Sequence, residues 1–143
     1  MAITQLSVYL ANEPGTLSQA ISLISEAGIN IRALSLADTQ DFGILRLIVS
    51  DVQKTKEILS ATNIASETSV IAVKMSDKAG ALGDILKILE KEAINIGYMY
   101  AFTSNNADSA YVVFRVDDIA HAEAVLNENG QETLDDEGLK ELL

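Results

Sequence analysis

The sequence predicts an α+β fold made of two copies of one small unit, and an internal repeat is the main reason for this prediction. Residues 6–31 align with residues 71–96, and residues 44–59 align with residues 111–126. Identical residues in the first alignment are Val8/Val73, Gly15/Gly80, Leu17/Leu82, Ile29/Ile94, Asn30/Asn95 and Ile31/Ile96. Two further observations support the prediction: each copy alternates strand-like with helix-like patterns, and a hydrophobic fraction of 48% suits a folded core.

The first copy begins with a strand and a helix. Apolar and β-branched residues without helical spacing predict a strand over 3–11. The break after this strand contains Pro14, which suits the first turn of a helix because its missing N–H would have no partner there. Spacings of three or four residues place four apolar side chains on one face of that helix: Leu17, Ile21, Ile24 and Ala27. Gly28 is suited to end the helix.

The rest of the chain continues this pattern. The first copy is predicted to add strands over 29–38, 44–50 and 64–68, and a helix that Asp51 caps and that extends to about Ala61. The second copy is predicted to contain strands over 70–76, 94–103, 109–116 and 131–134 and helices over 80–92 and 118–129. A final helical tail over 135–143 begins with acidic residues that suit the positive end of a helix: Asp135, Asp136 and Glu137.

The order β-α-β-β-α-β, found twice, predicts a ferredoxin-like arrangement in each copy, with two helices on one face of a four-stranded antiparallel sheet. We therefore expect a first domain over 1–68, a second domain over 69–134 and the tail over 135–143. A unit of this size buries only a marginal core, and no flexible linker joins the two copies. The two units are therefore expected to pack side by side rather than to be tethered.

Charge and composition exclude several classes of function. The chain has 143 residues, with 21 acidic and 10 basic side chains, one histidine and no cysteine, and its formal net charge is −11. This charge repels nucleic-acid phosphates and anionic membrane surfaces. The absence of cysteine excludes disulfides and thiolate-bound metals. Because the sequence shows neither a membrane-spanning stretch nor a basic, apolar leader, we expect a cytoplasmic protein, and no cofactor is implied.

The sequence gives no positive reason to propose catalysis or a metal site. His121 is the lone histidine, and we expect it on the surface of a helix. The acidic pairs Asp117–Asp118 and Asp135–Asp136 lie at the starts of predicted elements, where helix capping and solvation explain them better than acid–base catalysis. The glycine motifs that mark phosphate, dinucleotide or nucleophile sites are absent from the sequence. We therefore expect a protein without catalytic residues.

The loop between the first strand and the first helix of each copy is the best candidate for a binding site. These loops contain Gly15 and Gly80, which allow a ligand to approach the backbone closely. The N–H groups and the dipole at the start of a helix favour a carboxylate there. Asn30 and Asn95 enter the next strand, and their amides offer donors and an acceptor to a zwitterion. The residues alone leave open a second interpretation, in which the glycines merely begin a helix and the asparagines cap a turn.

The patterns NEPGTL…GINI and DKAGAL…AINI resemble the ACT domain, and the resemblance covers residues 3–134 in two copies. The whole chain resembles stand-alone proteins that consist of two ACT domains without a catalytic domain. The resemblance implies that units pair side by side and that a free amino acid binds between them. One ligand site would join Asn12, Glu13, Pro14, Gly15, Thr16 and Leu17 with Asn95 and Ile96. The other site would join Asp77, Lys78, Ala79, Gly80, Ala81 and Leu82 with Asn30 and Ile31.

The second copy departs from the ACT pattern. Asp77 and Ala79 stand where the first copy has Asn12 and Pro14. A carboxylate at this position repels the carboxylate of a ligand unless it pairs with the ligand's ammonium group. We therefore expect two unequal sites, of which the one that contains Asn12 is the better. The helix of the second copy is also expected to end differently, because Ala93 replaces the terminal glycine.

Aromatic residues are concentrated in one predicted strand of the second copy. Tyr98, Tyr100 and Phe102 alternate along it, so they share one of its faces. Three interpretations stay open for this face: it packs in the core, it contacts another subunit, or it lines the ligand pocket.

Together these observations predict a non-catalytic regulatory protein that binds a free amino acid between its ACT-like units and signals to a partner. The partner is expected to be a metabolic enzyme or a regulator, and the chain itself is expected to form a homodimer. The alternative is a ligand-free interaction module of the same fold that oligomerises or docks on an enzyme. Asp77 and Ala79 are the residues that favour this alternative.

Overall fold

The fold is described by a computed structural model, which covers residues 2–39, 41–103 and 109–142. The chain divides into two compact units, Thr4–Thr68 and Ser69–Leu142, and residues 2 and 3 group with the second unit. Each unit has the predicted β-α-β-β-α-β order, which confirms the ferredoxin-like fold class. Within the described ranges, no helix is both long enough and apolar enough to cross a membrane.

The first unit is an antiparallel sheet with two helices. Its elements are β1 (Ile3–Ala11), α1 (Thr16–Glu26), β2 (Ile31–Asp38), β3 (Phe42–Val49), α2 (Val52–Ser60) and the first part of β4 (Ile64–Ser76). The strands lie in the order β2-β3-β1-β4, and β3 pairs antiparallel with both β2 and β1. Leu6 lies opposite Leu47, so the apolar side chains of the two central strands share one face of the sheet.

Both helices of the first unit pack on this apolar face. The buried core contains Leu6, Val8 and Leu10 of β1, Leu45, Leu47 and Val49 of β3, Ala20 and Ile24 of α1, and Leu59 of α2. Asp51 caps α2 as predicted, because its carboxylate accepts a hydrogen bond of 3.0 Å from the Lys54 N–H. The helix face predicted from spacing therefore points to the core, and Ile24 is its most deeply buried residue.

The second unit repeats this arrangement. Its elements are the remainder of β4, α3 (Ala81–Lys91), β5 (Ile96–Thr103), β6 (Ser109–Val116), α4 (Ile119–Glu128), β7 (Thr133–Leu134) and α5 (Asp136–Leu142). β4 pairs antiparallel with β6 and β7, and β6 also pairs with β5. The buried core contains Ile71 and Val73 of β4, Val112, Phe114 and Val116 of β6, Ile85 and Leu89 of α3, and Ala122 and Leu126 of α4.

The aromatic residues Tyr98, Tyr100 and Phe102 share one face of β5, as predicted. Tyr100 lies opposite Val113, and Phe102 lies opposite Tyr111, and both partners alternate with β6 residues that face the helices. The aromatic face is therefore the face turned away from α3 and α4. Phe102 is buried and stacks on Tyr111 with ring centroids 5.2 Å apart. Tyr98 and Tyr100 are half-buried.

The predicted division of the chain between residues 68 and 70 into two strands is wrong. Residues 64–68 and 70–76 belong to one continuous strand of 13 residues, β4. The residues from Thr68 to Val70 include neither glycine nor proline, so nothing in the local sequence turns the backbone there. The boundary between the two compact units therefore lies inside a strand.

Candidate functional site

The candidate binding loop of the first unit contains a β-turn over residues 13–16. The Thr16 N–H donates to the Glu13 carbonyl oxygen at 3.4 Å, and Gly15 has φ 90° and ψ −15°. These angles match a type II turn, which favours Pro14 at its second position and requires a positive φ at its third. The prediction that Pro14 lies in the first helical turn is therefore wrong, because the left-handed Gly15 separates it from α1.

The loop of the second unit has the same backbone conformation. The Ala81 N–H donates to the Lys78 carbonyl oxygen at 3.2 Å, and Gly80 has φ 89° and ψ −14°. Ala79 takes the place that Pro14 has in the first loop. The residues before each helix are exposed, namely Asn12, Glu13, Pro14 and Gly15 in one loop and Asp77, Lys78, Ala79 and Gly80 in the other. The residues that follow are half-buried: Thr16, Leu17, Ala81 and Leu82.

The four longer helices, α1 to α4, begin in two different ways. Asp51 caps α2 and Asp118 caps α4, each by accepting a hydrogen bond from the N–H group three residues later, at 3.0 and 3.1 Å. In contrast, α1 and α3 begin at Gly15 and Gly80, with no side-chain hydrogen bond to the cap. The N–H groups of a first turn have no partner within their own helix. These groups therefore favour an anion at the two loops.

Side chains distinguish the two loops. The Thr16 hydroxyl has two acceptors within reach, the carbonyl oxygens of Ala11 at 2.7 Å and Glu13 at 3.0 Å. Ala81 stands at this position in the second loop and has no hydroxyl group. The first turn of α3 contains Asp84, whereas the first turn of α1 has no acidic residue. Asp84 thus places a carboxylate at the positive end of α3, and Lys78 adds a positive charge to the same loop.

The helices α1 and α3 end in the same motif, so the prediction of different helix ends is wrong. Gly28 has φ 73° and Ala93 has φ 55°, which puts both residues in the left-handed region. The next residue, Ile29 or Ile94, donates its N–H to the carbonyl oxygen five residues earlier, at 3.2 and 3.0 Å. This hydrogen bond and the left-handed residue before it are the signature of a Schellman motif. Alanine therefore adopts at Ala93 the conformation that glycine adopts more easily.

Asn30 and Asn95 lie one residue before β2 and β5, and both are exposed. The prediction that they lie inside strands is wrong, because the N–H of the preceding isoleucine completes the helix end instead of joining the sheet. The backbone of Asn30 is held by Ser50, whose N–H donates to the Asn30 carbonyl oxygen at 2.9 Å. The Asn30 N–H in turn donates to the Ser50 hydroxyl oxygen at 3.0 Å. These two hydrogen bonds fix the backbone of Asn30, while its side-chain amide is exposed to solvent.

Within one unit, the loop and the asparagine lie at opposite ends of one helix. Residues 12–17 lead into α1, and Asn30 follows its end. Both α1 and α3 have 11 residues. A helix of this length spans about 16 Å. Neither unit therefore brings its own loop to its own asparagine, and a site that uses both needs two units. The combinations of residues 12–17 with Asn95 and Ile96, and of residues 77–82 with Asn30 and Ile31, stay predictions.

Two pockets in the second unit include predicted site residues. One pocket of about 210 Å³ lies beside the loop and is lined by Met75, Ser76, Lys78, Ala79, Ala81, Asp84, Ile85 and Gln131. The other, of about 470 Å³, lies at the end of α3 and is lined by Leu86, Leu89, Glu90, Ala93, Ile94, Asn95 and Ile96. Sequence reasoning missed Asp84 and Gln131. The signal for Asp84 was present, because its position four residues after Gly80 places it in the first helical turn.

The acidic residues that were considered for catalysis cap helices, and the histidine lies on the surface. Asp118 caps α4 as predicted, and the Asp135 carboxylate accepts a hydrogen bond of 2.8 Å from the Gly138 N–H at the start of α5. His121 is exposed as predicted, and its Nε2 lies 3.8 Å from a carboxylate oxygen of Glu92. Across residues 2–39, 41–103 and 109–142, no group of three or more histidine or acidic side chains is placed to hold a metal ion.

Comparison with known proteins shows which family these features belong to. Residues 1–143 match the family described as ACT domain pair. The chain belongs to this family. The crystal structure of protein BT0572 from Bacteroides thetaiotaomicron is 34% identical to this ACT domain pair, with a TM-score of 0.91 over 99% of this chain and 98% of that chain. The ligand-free regulatory subunit of aspartate kinase from Thermus thermophilus has the same fold, with a TM-score of 0.66 at 14% identity over 87% and 88% of the two chains.

Relatives of this ACT domain pair include small subunits of acetolactate synthase. The subunit from Buchnera aphidicola subsp. Baizongia pistaciae is 26% identical over 120 residues, which cover 70% of this chain and 72% of its own length. The isozyme 3 small subunit from Escherichia coli is 43% identical over 51 residues, which cover 36% of this chain and 31% of its own. The match to the subunit from Buchnera aphidicola subsp. Schizaphis graminum covers 34% of its length. The chain thus matches about a third of the length of two of these relatives.

Proposed function

We propose that this ACT domain pair is a non-catalytic regulatory protein that binds a free amino acid. Each ligand site would join the β–α loop of one unit with the start of the second strand of another unit. The observation that carries the proposal is the contrast in helix capping. Asp51 and Asp118 cap α2 and α4, whereas α1 and α3 begin at glycines without a side-chain cap, so the first-turn N–H groups that follow the turn hydrogen bond can meet an anion.

The chemistry of a free amino acid fits the two halves of such a site. Its carboxylate would accept hydrogen bonds from the N–H groups at the start of α1 or α3. Its ammonium group would donate to the amide oxygen of Asn95 or Asn30, both of which are exposed. A zwitterion carries no net charge, so the net charge of −11 does not repel it as it repels a polyanion.

The stronger site is proposed to combine residues 12–17 with Asn95 and Ile96. The first turn of α1 lacks an acidic residue, and the Thr16 hydroxyl holds its loop. The other site would combine residues 77–82 with Asn30 and Ile31. It is proposed to be the weaker one, because Asp77 and Asp84 add negative charge at the start of α3.

Regulation would follow from the position of the ligand between units. A ligand that contacts two units stabilises one arrangement of them, and a partner that prefers this arrangement binds more tightly. We propose a metabolic enzyme or a regulator in the cytoplasm as the partner, and a homodimer of this chain as the binding form. The relation to acetolactate synthase small subunits supports an enzyme partner.

A second function is favoured by the acidic residues of the second unit. Asp77 and Asp84 place two carboxylates at the start of α3, where a ligand carboxylate would otherwise bind. The chain would then act as an interaction module that docks on an enzyme without a ligand. The ligand screen described next separates this function from amino-acid binding.

Thermal denaturation with each of the twenty amino acids tests the proposal. One amino acid or a small chemically related set should raise the melting temperature by roughly 5–10 °C when its concentration is about a hundred times its dissociation constant. Absence of a shift with every amino acid at millimolar concentration would refute amino-acid binding and favour the interaction module.

Substitutions then locate the site. Asn12→Ala and Asn95→Ala should each abolish the shift, because they remove the amides that the stronger site is proposed to use. Asn127→Ala is the matched control, since Asn127 is an exposed asparagine at the end of α4 and should leave the shift unchanged. Asp77→Asn should strengthen binding at the weaker site by removing a carboxylate. Loss of the shift in Asn30→Ala but not in Asn95→Ala would contradict the proposed combination of loop and strand.

A further inference from the structure

We propose that the second β–α loop binds a small amino acid in reverse, with the ligand's ammonium group rather than its carboxylate at the start of α3. This inference rests on the proposed function, because it keeps a free amino acid as the ligand and names its orientation. The site is the pocket of about 210 Å³ beside this loop, named here the Ala81 pocket. Its volume is several times the roughly 30 Å³ of one water molecule in the liquid, so it can hold a small molecule. Its lining includes Ser76, Lys78, Ala81, Asp84 and Gln131.

The first loop shows where a hydrogen-bond donor fits in this backbone. There the Thr16 hydroxyl lies 2.7 Å from the carbonyl oxygen of Ala11 and 3.0 Å from that of Glu13. The same two oxygens accept backbone hydrogen bonds, from the Glu13 N–H at 2.9 Å and from the Thr16 N–H at 3.4 Å. A carbonyl oxygen has two lone pairs and can accept both kinds of donor. The hydroxyl therefore marks a position that suits a donor.

The second loop keeps the two carbonyl oxygens but lacks the hydroxyl. The Lys78 N–H donates to the Ser76 carbonyl oxygen at 2.9 Å, and the Ala81 N–H donates to the Lys78 carbonyl oxygen at 3.2 Å. Ala81 stands where the first loop has Thr16, and its methyl group is not a donor. All three residues line the Ala81 pocket, so a ligand there can take the position of the missing hydroxyl. A primary ammonium group, with three N–H donors, can serve both oxygens.

The side chains of the Ala81 pocket add one charge of each sign. The Asp84 carboxylate in the first turn of α3 attracts an ammonium group. At the other end of the ligand, a carboxylate can pair with the Lys78 ammonium and accept a hydrogen bond from the Gln131 amide. Lys78 and Asp84 are exposed, and neither forms an ion pair with another residue that the structure describes. Both charges are therefore available to a zwitterion, and none of these contacts uses the N–H groups of α3.

The first unit shows that the fold does not require this set of residues. The repeat places three different residues where the Ala81 pocket has Lys78, Asp84 and Gln131, namely Glu13, Gln19 and Ile64. The first loop thus has no positive charge at the position of Lys78, and its own hydroxyl takes the donor position. A simple cation or anion would match only one of the two charges of the Ala81 pocket, whereas a zwitterion matches both.

Nuclear magnetic resonance of isotope-labelled protein tests the reverse orientation. The probe is glycine, and the backbone amide signals of Ala81 and Asp84 report its binding at the second loop. Glycolate has a hydroxyl in place of the ammonium group and should bind at least about tenfold more weakly. Glycinamide keeps the ammonium group and loses the carboxylate. It should bind about threefold more weakly, because the charge of the exposed Lys78 is screened by solvent.

Substitutions establish which end of the ligand faces α3. Asp84→Asn should weaken glycine binding at the second loop by about fivefold, because it removes the charge that attracts the ammonium group. Ala81→Thr gives the second loop the hydroxyl of the first and should abolish the response to glycine there. Glu128→Gln is the matched control, since it removes one negative charge from an exposed residue at the end of α4 and should leave glycine binding unchanged.

Other outcomes would overturn the reverse orientation. Stronger glycine binding in Asp84→Asn would place the ligand carboxylate at the start of α3. Glycolate binding as tightly as glycine would make the Ala81 pocket an anion site. Loss of the second-loop response in Asn30→Ala would assign the ligand to a site shared between units. If glycine and alanine left the second-loop signals unchanged while another amino acid raised the melting temperature, the Ala81 pocket alone would be refuted. Absence of every amino-acid effect would refute the proposed function as well.

Discussion

The β–α loops of the two units have the same backbone and different side chains. Each contains a type II turn that ends in a left-handed glycine, with φ 90° in the first loop and φ 89° in the second. Pro14 and Thr16 of the first loop are replaced by Ala79 and Ala81 in the second. The comparison shows that glycine and the turn hydrogen bond are sufficient for this backbone. Pro14 and Thr16 are therefore not required for the backbone conformation, and they can instead affect the stability of the loop and its affinity for a ligand.

The ends of α1 and α3 also share one backbone conformation, although only α1 has a glycine there. Gly28 and Ala93 both adopt the left-handed conformation. This conformation costs a residue other than glycine about 1–2 kcal/mol. The second unit tolerates this cost because the isoleucine after Ala93 still completes the helix-end hydrogen bond and packs against the core. A pattern of hydrogen bonds and packing can therefore impose a conformation that the local residue does not favour.

The largest expected effect tests whether the two cores are equivalent. Leu59 of α2 and Leu126 of α4 occupy matching positions and are both fully buried. Leu59→Ala and Leu126→Ala should each lower the free energy of unfolding by about 3 kcal/mol, since each leaves a cavity in its core. Urea denaturation followed by circular dichroism measures this effect. Ile64→Ala is the exposed control, with an expected change below about 0.5 kcal/mol. If only one of the two leucine substitutions lowered the free energy of unfolding, the two cores would not be equivalent.

An intermediate effect should appear at the helix ends, with opposite signs. Gly28→Ala should lower the free energy of unfolding by about 1 kcal/mol, because alanine is strained at φ 73°. A Cβ atom at Gly28 meets no atom within 4 Å, so a steric clash does not contribute. Ala93→Gly should raise the free energy of unfolding by about 0.5–1 kcal/mol, since relief of strain exceeds the gain in unfolded-state entropy. Urea titration of both variants would contradict this explanation if the two changes had the same sign.

Features that depend on local sequence could be predicted well. The strand Ile3–Ala11 has the predicted bounds, and Asp51 and Asp118 cap helices as predicted. The repeat gave the order of elements in both units, because each element needs only its own periodicity and its own turn residues. The positions of the two β–α loops and the end of α1 at Gly28 were predicted from turn residues in the same way.

Features that depend on competition between hydrogen bonds, or on residues distant in sequence, could not be predicted. Asn30 and Asn95 were predicted inside strands that begin at residues 29 and 94, yet the N–H groups of Ile29 and Ile94 complete helix ends, and β2 and β5 begin two residues later. Sequence spacing also did not show that Ser50 holds Asn30. The neighbours of Tyr9 were missed for a related reason, since Phe42 and Ile64 come close to it only through the order of the strands.

The smallest expected effect lies in the turn itself. Ala79→Pro should raise the free energy of unfolding by about 0.5 kcal/mol, because proline restricts the unfolded chain and suits the second position of a type II turn. The first loop supports this compatibility, since Pro14 occupies the same position in the same backbone. Pro14→Ala should have the opposite effect, and Ala79→Gly should lower stability by a similar amount through the added freedom of the unfolded chain. Thermal denaturation of the Ala79 series should therefore rank proline above alanine and alanine above glycine. Any other order would mean that loop stability depends on the side chain at residue 79 and not on backbone freedom.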